Sequence, residues 1–480
     1  MMSKKFVKEV TSQKDDFSRW YMDVILKAGL IDYAPVKGCM VIKPYGYAIW
    51  EQIQEILGGM IKDTGHENAY FPLFIPENLL QKEVDHVEGF APEVAWVTHG
   101  GESELGERLA VRPTSETIVC SMLSDWVQSH RDLPVLLNQW ANVVRWEKST
   151  RPFLRTTEFL WQEGHTAHST QEEAQKETLK MLGVYAHFVE KYLAIPVVQG
   201  QKTEKEKFAG AEATYSIEAL MKDGKGLQAG TSHNLGQHFA RVFDIQYSND
   251  EGSLEYVHQT SWGVSTRLIG GLIMAHGDDR GLKIPPQIAP IQVVIVPIRL
   301  DKSEEVQRKV EELNRELDSA GFRVKVDDRD QYRPGWKFNE WEMKGVPLRI
   351  EIGPRDVKKG ELIAARRDTQ EKITVKIEDA GEQIRQLLQQ IQSNIFKQVQ
   401  KFVEINTATA TDLEEMNQIL DNQAGYIKAM WCGSQECEEK VKDQTKATIR
   451  NIPFNQEKVG KSCVCCGQRA EQMVYFARAY

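Results

Sequence analysis

The sequence has no apolar run long enough to cross a membrane. Its first sixteen residues have neither the apolar centre of a signal peptide nor the arginine-rich, acid-poor composition of a transit peptide. A basic excess is also missing, since the formal net charge is -9, whereas proteins that coat nucleic acid usually carry positive charge to neutralise phosphate. These absences predict a cytoplasmic protein with no membrane partner, in which any contact with RNA is local.

Cysteine is scarce, with 7 thiols in 480 residues, and five of them fall within the last fifty positions. This distribution does not suit a disulfide framework and predicts a metal site in a reducing compartment. The four candidate ligands have spacings usable for tetrahedral zinc and are Cys432, Cys437, Cys463 and Cys466. Four protein ligands leave no open position, so the expected zinc is structural. Cys465 is an extra thiol beside this site.

Composition and periodicity divide the chain into three predicted domains. Residues 1–285 mix helical and strand-like segments without regular repeats, which predicts an α+β fold. Two consecutive prolines, Pro285 and Pro286, indicate a linker. Residues 286–400 then read as a β-α-β unit with parallel strands, three further strands and a long bridging helix, which predicts a small α/β domain. Residues 401–480 form the cysteine-bearing domain.

Two separated arginine-containing motifs give the strongest indication of function. Arg145-Trp146-Glu147 is followed by Arg155 and Phe159, and Gly263 to Arg267 comes about a hundred residues later. A lone Arg-x-Glu is usually a surface ion pair. In this order, however, the segments supply cationic clamps, a carboxylate and an aromatic plate, which suit a bent nucleoside triphosphate. The pattern predicts activation of a carboxylate by ATP. Arg145 and Glu147 are two positions apart, so on an extended strand both side chains would lie on the same face and point into one cleft.

With these motifs, the chain resembles the prolyl-tRNA synthetases, class II enzymes, in their archaeal/eukaryotic type. Gly38 to Pro76 resembles motif 1, Arg145 to Glu163 resembles motif 2, and Gly263 to Arg267 resembles motif 3. The resemblance implies a catalytic domain with an antiparallel sheet, an α/β anticodon-binding domain and a small α+β zinc-binding domain. It also implies a homodimer, because the motif 1 proline, matched by Pro72, lies at the dimer interface.

The resemblance assigns roles to the ATP-site residues. Arg145 would bind the α-phosphate and the substrate carboxylate, and Phe159 and Arg267 would sandwich the adenine. Arg155 would reach the outer phosphates, which Mg²⁺ would bridge, and Glu147 would orient the adenine amino group or the Mg²⁺. The implied catalytic residues are Arg145 and Arg267. The implied ATP-site residues are Arg145, Glu147, Arg155, Thr156, Phe159, Gln228, Thr231, Ser265 and Arg267.

The substrate amino acid is indicated by a second set of residues. Thr114-Ser115-Glu116 could simply cap a helix, but the resemblance implies that Thr114 and Glu116 bind the amine of proline. Arg145 would take its carboxylate. The residues that fall at the family's ring pocket are Trp161, Glu163, Phe208 and His233, each of which taken alone is more often a core residue. Lys202 to Glu212 would be a mobile loop closing over the ring.

Two further expectations concern editing and RNA. Only about a hundred residues separate the motif 2 and motif 3 matches, too few for the large editing insertion of bacterial-type prolyl enzymes, so no cis editing is expected. The segment from Tyr332 to Asp356 is rich in aromatic and charged residues, which suits unpaired bases but also suits a solvated charged face. The resemblance implies anticodon contacts from Phe338, Glu342, Arg349 and Arg355.

The leading hypothesis is therefore a proline–tRNA ligase. It would form prolyl-adenylate and pyrophosphate from proline and ATP, and then move the prolyl group to the 3′-terminal adenosine of tRNA(Pro). Two alternatives stay open. One is a related class II enzyme for threonine or serine, and the other is a synthetase-like binding or regulatory protein without chemistry. The chain ends in a tyrosine, Tyr480, as the family often does, and the resemblance implies that the C-terminus folds back toward the active site.

Overall fold

The computed structural model describes residues 10–86, 94–300, 303–422 and 425–480. None of the helices in this part of the chain combines the length and apolar composition that a membrane crossing requires. The helices are α1 Phe17–Lys27, α2 Pro44–Asp63, α3 Glu77–His86, α4 Glu116–Trp126, α5 Gln171–Lys191, α6 His238–Phe243, α7 Arg267–His276, α8 Glu304–Ser319, α9 Pro334–Met343, α10 Pro354–Lys359, α11 Ala380–Ile405, α12 Leu413–Asn422 and α13 Gln435–Thr445.

The strands of the described residues form five sheets. They are β1 Ile31–Tyr33, β2 Met40–Ile42, β3 Glu67–Asn68, β4 Phe74–Pro76, β5 Trp96–Gly100, β6 Ser103–Val111, β7 Val135–Val144, β8 Glu158–His168, β9 Val198–Gln201, β10 Ala213–Leu220, β11 Gly226–Gly236, β12 Gln246–Ser248, β13 Leu254–Tyr256, β14 His258–Ser265, β15 Val293–Pro297, β16 Val324–Val326, β17 Leu348–Ile352, β18 Glu361–Arg366, β19 Lys372–Lys376, β20 Thr407–Thr409, β21 Tyr426–Trp431, β22 Thr448–Pro453 and β23 Gln472–Ala477.

The largest sheet has eleven strands in the order β20-β21-β23-β22-β9-β10-β11-β14-β8-β7-β3. Its central strands, β10, β11, β14, β8 and β7, pair antiparallel with one another in that order. This confirms the antiparallel catalytic sheet that the resemblance implied. The prediction of an α+β catalytic region followed by an α/β region is confirmed with it.

Helix α5 covers one face of this sheet. Its N-terminus is capped by Thr170, whose side chain accepts a hydrogen bond from the backbone N–H of Glu173. Tyr185 packs edge-on against Trp262 of β14 and donates a hydrogen bond to Gln162 of β8. Gly164 makes this packing possible, because a Cβ at that position would overlap the Trp262 ring. Since side chains alternate along a strand, the neighbouring odd-numbered residues of β8 and β14 face the other way.

The second sheet has the order β16-β15-β17-β18-β19. Strands β16, β15 and β17 are parallel, as the β-α-β pattern predicts, whereas β17, β18 and β19 pair antiparallel. The sheet is therefore mixed, because only the short helix α10 separates β17 from β18 and a tight turn joins β18 to β19. A parallel pairing needs a longer crossover. The apolar face of α8 and the long helix α11 share one core with this sheet.

The C-terminal strands continue the catalytic sheet, which the sequence did not predict. Strand β22 pairs with β9 through Ile452 opposite Gln201 and Pro453 opposite Gly200. Gly200 allows the two backbones to approach, because a Cβ there would overlap the carbonyl oxygen of Ile452. The predicted domain limits at residues 285 and 400 stay a prediction. A continuous sheet nevertheless joins the first predicted domain to the third.

Candidate active site

A cleft with a volume of about 310 Å³ opens on the face of the large sheet away from α5. Most of the predicted substrate-site residues line it. They are Thr114, Glu116, Arg145, Phe159, Trp161, Glu163, Phe208, Gln228, Thr231, His233, Ser265 and Arg267. The structure thus brings together residues that are up to about 150 positions apart in sequence. Three predicted ATP-site residues, Glu147, Arg155 and Thr156, are not among the lining residues.

The floor of the cleft consists of cross-strand rows. In one row His233 of β11 lies opposite Thr214 of β10 and Ser261 of β14, and Ser261 lies opposite His165 of β8. Two residues along the strands, Thr231 lies opposite Gly263, and Gly263 lies opposite Glu163. Because the side-chain period of a strand is two, both rows face the same side. The antiparallel register therefore converts three separate sequence motifs into one surface.

One end of the cleft is cationic. Arg145 follows β7 directly, and its Nε donates a hydrogen bond to the carbonyl oxygen of Pro113 at 3.0 Å. Its guanidinium lies 5.6 Å from the ring centroids of both Phe159 and Trp161. Arg267 begins α7, and its Nε donates to the carbonyl oxygen of Leu154 at 3.2 Å. Anchoring through Nε fixes each guanidinium plane beside the cleft.

These two arginines are electrostatically unfavourable without an anion. Burial lowers the pKa of Arg145, and the carboxylates of Glu116 and Glu163 oppose that effect. Burial, together with the positive charges of Arg155 and Arg145, lowers the pKa of Arg267 to about 10. Guanidinium groups that repel one another in a partly desolvated cleft are stabilised by a bound polyanion. This end of the cleft is therefore built for phosphate or carboxylate groups.

The segment before α4 supplies the opposite charge. Neither Thr114 nor Ser115 caps the helix through its side chain, so the capping interpretation does not hold here. Instead the Thr114 hydroxyl donates to the carboxylate of Glu116, and the Ser115 hydroxyl donates to Glu163 Oε1 at 2.5 Å. Both carboxylates are buried. The cleft thus offers hydrogen-bond acceptors with negative charge, which suit a protonated amine.

Glu163 is held in place from three sides. In addition to Ser115, Gln139 donates to its Oε1 at 2.8 Å, and His165 Nε2 lies 3.0 Å from its Oε2. Burial raises the pKa of Glu163, but the contacts with His165, Ser115 and Gln139 outweigh burial and leave that pKa below its usual value. Burial lowers the pKa of His165, but Glu163 outweighs burial and raises it overall. The buried contact with His165 therefore helps to fix the Glu163 carboxylate.

An aromatic pocket lies beside these carboxylates. The ring centroids of Phe208 and His233 are 4.7 Å apart, with the two planes tilted by 34°. The hydroxyl of Thr214 lies 2.9 Å from His233 Nδ1 and accepts a hydrogen bond from the backbone N–H of Phe208 at 2.9 Å. Burial lowers the pKa of His233 to about 4, so the imidazole is neutral at pH 7. A neutral, shape-defined pocket suits a small apolar ring.

The motif 2 loop departs from the predicted extended strand. Strand β7 ends at Val144, so Arg145 and Glu147 do not alternate on a strand as predicted. The reason is the turn from Arg151 to Arg155, whose backbone bonds close the loop on itself. Arg155 Nη1 lies 3.8 Å from the Glu147 carboxylate, and both side chains are partly exposed. Thr156 is buried and donates to the carbonyl oxygen of Glu158 at 2.7 Å.

Sequence reasoning missed several lining residues, namely His165, Lys202, Glu206, Thr214, Ser261 and Trp262. Lys202 and Glu206 fall within the predicted loop but were not expected as site residues. His165 lies two residues beyond Glu163, and Ser261 lies two residues before Gly263. The period of two along a strand could have identified both, given the register of β8 and β14.

The predicted anticodon residues lie on α9, β17 and α10. The Arg349 guanidinium lies 4.3 Å from the Phe338 ring centroid and donates to Glu351 at 2.8 Å. Glu342 accepts a hydrogen bond from Arg280 at 3.1 Å, and Arg355 is exposed. A second aromatic surface lies nearby in sequence, where the rings of Tyr332 and Trp336 stack with centroids 3.7 Å apart. Aromatic and arginine planes of this kind are suitable for stacking bases.

The four predicted metal ligands converge. The sulfur atoms of Cys432, Cys437, Cys463 and Cys466 all lie within 4.8 Å of one another. The Cys432 sulfur lies 3.7 Å from that of Cys437 and 3.9 Å from that of Cys466. A tetrahedron with Zn–S bonds of about 2.3 Å has S–S edges of about 3.8 Å, so these spacings fit zinc.

The C-terminal tyrosine reaches the motif 2 loop. The ring of Tyr480 lies 5.5 Å from the Arg151 guanidinium and 5.0 Å from Lys225 Nζ. Its backbone N–H donates to the carbonyl oxygen of Gly226, the first residue of β11, at 3.4 Å. The chain end therefore packs against the same loop that carries Arg155.

Comparison with known proteins agrees with this geometry. Residues 96–276 match the tRNA synthetase class II core domain (G, H, P, S and T), and residues 292–387 match the anticodon binding domain. The fold and the cleft thus define a class II aminoacyl-tRNA synthetase. Residues 413–480 match the C-terminal domain of prolyl-tRNA synthetase.

Relatives and solved structures identify the family. The chain is 63% identical to the proline–tRNA ligase of Natranaerobius thermophilus, over 100% of this chain and 99% of that protein. It is 61% identical to the proline–tRNA ligase of Alkaliphilus oremlandii, over 99% of each. A prolyl-tRNA synthetase from Cryptosporidium parvum, solved with halofuginone and AMPPNP, superposes with a TM-score of 0.94 at 43% identity, covering 98% of this chain and 99% of that chain. The chain belongs to the prolyl-tRNA synthetase family.

Proposed function

We propose that this protein attaches L-proline to tRNA(Pro) in two ATP-dependent steps. In the first step a carboxylate oxygen of proline bonds to the α-phosphorus of ATP, the bond to the β-phosphate breaks, and pyrophosphate leaves. In the second step a hydroxyl of the tRNA 3′-terminal adenosine attacks the prolyl carbonyl and AMP leaves. The observation that carries the proposal is the cleft in which the guanidinium groups of Arg145 and Arg267 face the Thr114–Glu116 segment and the Phe208–His233 pocket.

The arginines supply electrostatic stabilisation in the first step. Arg145 has a planar guanidinium that can contact the proline carboxylate and the α-phosphate together, which draws the reacting atoms into line. Arg267 and Phe159 offer two planes between which the adenine fits. Charge accumulates on the phosphates as pyrophosphate leaves, and fixed guanidinium groups stabilise that charge without reorganising.

Mg²⁺, when bound, would offset phosphate charge. It prefers oxygen ligands, and the candidate donors here are the Glu147 carboxylate and the Gln228 side-chain oxygen. Gln228 lines the cleft, whereas Glu147 lies on the motif 2 loop outside it.

Selection of proline rests on the carboxylates and the aromatic pocket. The secondary ammonium of proline has two N–H donors, which match the Thr114–Glu116 segment and the fixed Glu163 carboxylate. The ring has no hydrogen-bonding group, so the neutral His233 and the Phe208 and Trp161 rings would recognise it by shape. Shape alone rejects a smaller side chain by only about 1–3 kcal/mol per methylene, so alanine is expected as a weak substrate.

We also propose that the enzyme lacks a cis editing domain. The interval between the motif 2 and motif 3 segments lies wholly within the described residues 94–300. It is filled by α5, β9, β10, β11, α6, β12 and β13, of which the longer strands belong to the catalytic sheet itself. Post-transfer hydrolysis of alanyl-tRNA by the purified enzyme would contradict this expectation.

A homodimer is proposed from the motif 1 segment. Six of the thirteen large hydrophobic side chains that are exposed among the described residues lie between residues 33 and 74. They include Tyr70, which is 70% exposed, and Phe74, which is 44% exposed, on either side of Pro72. A concentration of exposed apolar side chains is typical of a protein interface. A cytoplasmic location stays an expectation from the sequence.

The cysteine cluster is proposed to bind one structural Zn²⁺. Its four thiolates would complete a tetrahedral site and hold α13 against the loop from Cys463 to Cys466. Metal analysis of the purified protein should give about one zinc per chain. A Cys463→Ser variant should lose that zinc and melt at a lower temperature than a Cys39→Ser control, whose thiol lies outside the cluster. Equal zinc content in both variants would refute the assignment.

The function is tested by amino-acid-dependent exchange of pyrophosphate into ATP, measured with proline, threonine, serine and alanine. Strong exchange with proline alone supports the proposal. Exchange with threonine or serine would indicate a related enzyme, and none with any amino acid would indicate a protein without the chemistry. Arg145→Lys should impair exchange much more than tRNA binding, whereas Arg241→Lys, a change at an exposed position, should affect neither.

A further inference from the structure

The loop from Lys202 to Glu212, which joins β9 and β10, is part of the cleft. Lys202, Glu206 and Phe208 of this loop line the cavity. Phe208 forms the aromatic pocket with His233, and its backbone N–H is held by Thr214. A contact that fixes the first residues of this loop therefore also positions the residues that would surround the substrate ring.

The other side of the loop contacts helix α13 of the C-terminal region. The Thr203 hydroxyl donates to Glu438 Oε1 at 3.1 Å, and both residues are 3% exposed. Beside this bond, Lys205 Nζ lies 2.9 Å from Glu439 Oε1 in a more exposed ion pair. Glu438 does not line the cleft, and the two residues that it and Thr203 join are 235 positions apart in sequence.

Burial of the Glu438 carboxyl group favours its hydrogen bond with Thr203. Burial raises the pKa of Glu438, the Thr203 hydroxyl opposes that rise, and the nearby negative charge of Glu206 adds to it. Without this hydrogen bond, the buried carboxyl group would carry the full cost of desolvation. Loop conformations that keep the Thr203–Glu438 hydrogen bond are therefore favoured over conformations that break it. Glu206, three residues further on, is both a cleft residue and an electrostatic neighbour of Glu438.

We infer that Glu438 is a positioning residue for the amino-acid substrate, acting through Thr203 to hold Glu206 and Phe208 at the cleft. The inference rests on the proposed proline-activating function. It gives the C-terminal region a role in the affinity for proline that is separate from any contact of its own with substrate.

The geometry makes a selective effect on proline the expected outcome. The loop borders the pocket of Phe208 and His233, whereas the phosphate end of the cleft is built by Arg145 and Arg267, which are anchored to Pro113 and Leu154 instead. Loss of the Thr203–Glu438 bond should therefore weaken proline binding and leave ATP binding almost unchanged.

The test uses the full-length enzyme with Glu438→Ala, Glu438→Gln and Thr203→Val. The control is Glu457→Ala, which removes a carboxylate of the same C-terminal region whose ion-pair partner is Lys428. Proline affinity is measured by calorimetry without ATP, and KM for proline and for ATP by pyrophosphate exchange. Loss of one buried hydrogen bond predicts a roughly fivefold to tenfold weaker proline affinity for Glu438→Ala.

Glu438→Gln keeps an oxygen acceptor and should restore proline affinity to within about twofold of the wild type. Thr203→Val alters only the loop side and should match Glu438→Ala, and the double variant should be no weaker than either. The inference is overturned if Glu438→Ala and Thr203→Val bind proline like the control, or if KM for ATP rises as much as KM for proline. Absence of proline-dependent exchange in the wild type would instead refute the proposed function.

Discussion

The catalytic region is joined to the rest of the chain in two different ways. At the C-terminal joint, which consists of the β9–β22 pairing and the side chains of Lys202, Glu218 and Arg450, the sheet is continuous and the charges are buried. At the anticodon joint, the ion pairs of Asp278, Arg280, Glu342 and Arg367 are partly exposed, and the buried contact is apolar, with Met343 of α9 packed in the catalytic core. A charged contact contributes more to stability where it is buried than where solvent screens it. The contrast predicts that loss of a charged contact costs more at the C-terminal joint than at the anticodon joint.

The C-terminal joint is centred on one carboxylate. Glu218 is fully buried, and it accepts two hydrogen bonds from the Arg450 guanidinium at 2.8 and 3.0 Å and one from Lys202 Nζ at 3.1 Å. Ser216 completes the set at 3.0 Å. Burial raises the pKa of Glu218, but Lys202 and Arg450 outweigh burial and lower it overall. Two cations therefore depend on a single anion.

The largest effect is expected when that anion is removed. Glu218→Ala leaves two buried cations uncompensated and should lower the free energy of unfolding by about 3–5 kcal/mol. Denaturant titration followed by circular dichroism measures this. Glu457→Ala, which breaks an exposed ion pair, should cost less than about 1 kcal/mol. Equal losses in the two variants would remove the distinction between a buried and an exposed ion pair.

A smaller effect is expected at the anticodon joint, and it should depend on pH. Arg367 binds both Asp278 oxygens, at 2.6 and 2.9 Å. Burial raises the pKa of Asp278, but Arg367 and then Lys283 outweigh burial and lower it to about 2. Because the folded pKa lies below the unfolded value of about 3.9, the stabilisation is complete above pH 4 and is lost as the pH falls toward 2.

With the discount for partial exposure of Asp278, that stabilisation should be about 1–2 kcal/mol. It is measured as the difference in unfolding free energy between wild type and Asp278→Asn at intervals from pH 6 to pH 2.5. The difference should shrink as the pH falls. Asp250→Asn, at a carboxylate that is 87% exposed, should show almost no difference at any pH. A wild-type advantage that grows on acidification would contradict the assigned sign.

The smallest effect is expected for the outermost contact of the anticodon joint. Arg280 is 61% exposed and its guanidinium lies 3.1 Å from Glu342. Arg280→Ala should change the unfolding free energy by less than about 0.5 kcal/mol, because solvent and salt screen such pairs. The same measurement repeated at 1 M salt should give no difference. A loss as large as that of Glu218→Ala would show that the two joints depend equally on their charged contacts.

The sequence predicted the catalytic fold well because its motifs are local. Arg145, Arg155 and Phe159 lie within fifteen positions, and their order indicated the family, which the comparisons confirm. The cysteine spacing likewise predicted a cluster that the structure assembles. The roles assigned to individual site residues stay predictions, although most of those residues line one cleft.

The pairing of strands that are distant in the chain could not be predicted from the sequence. Thr214, His165 and Ser261 share a row with His233 only because four strands adopt one register, and no local pattern records that register. The continuation of the sheet through β22 depends on two residue pairs more than 250 positions apart in the chain. Gly200 was the one local sign of a close backbone approach, and a single glycine in a strand is equally consistent with a bulge or a tight bend.

The pairing of β9 with β22 has a consequence for biosynthesis. A chain made from its N-terminus forms β9 and β10 long before Ile452 and Pro453 leave the ribosome, so β9 is for that interval an unprotected sheet edge. Such edges recruit other strands and cause aggregation. Nascent chains that stop before β22 are therefore expected to be insoluble, and the last strands protect the β9 edge once synthesis is complete.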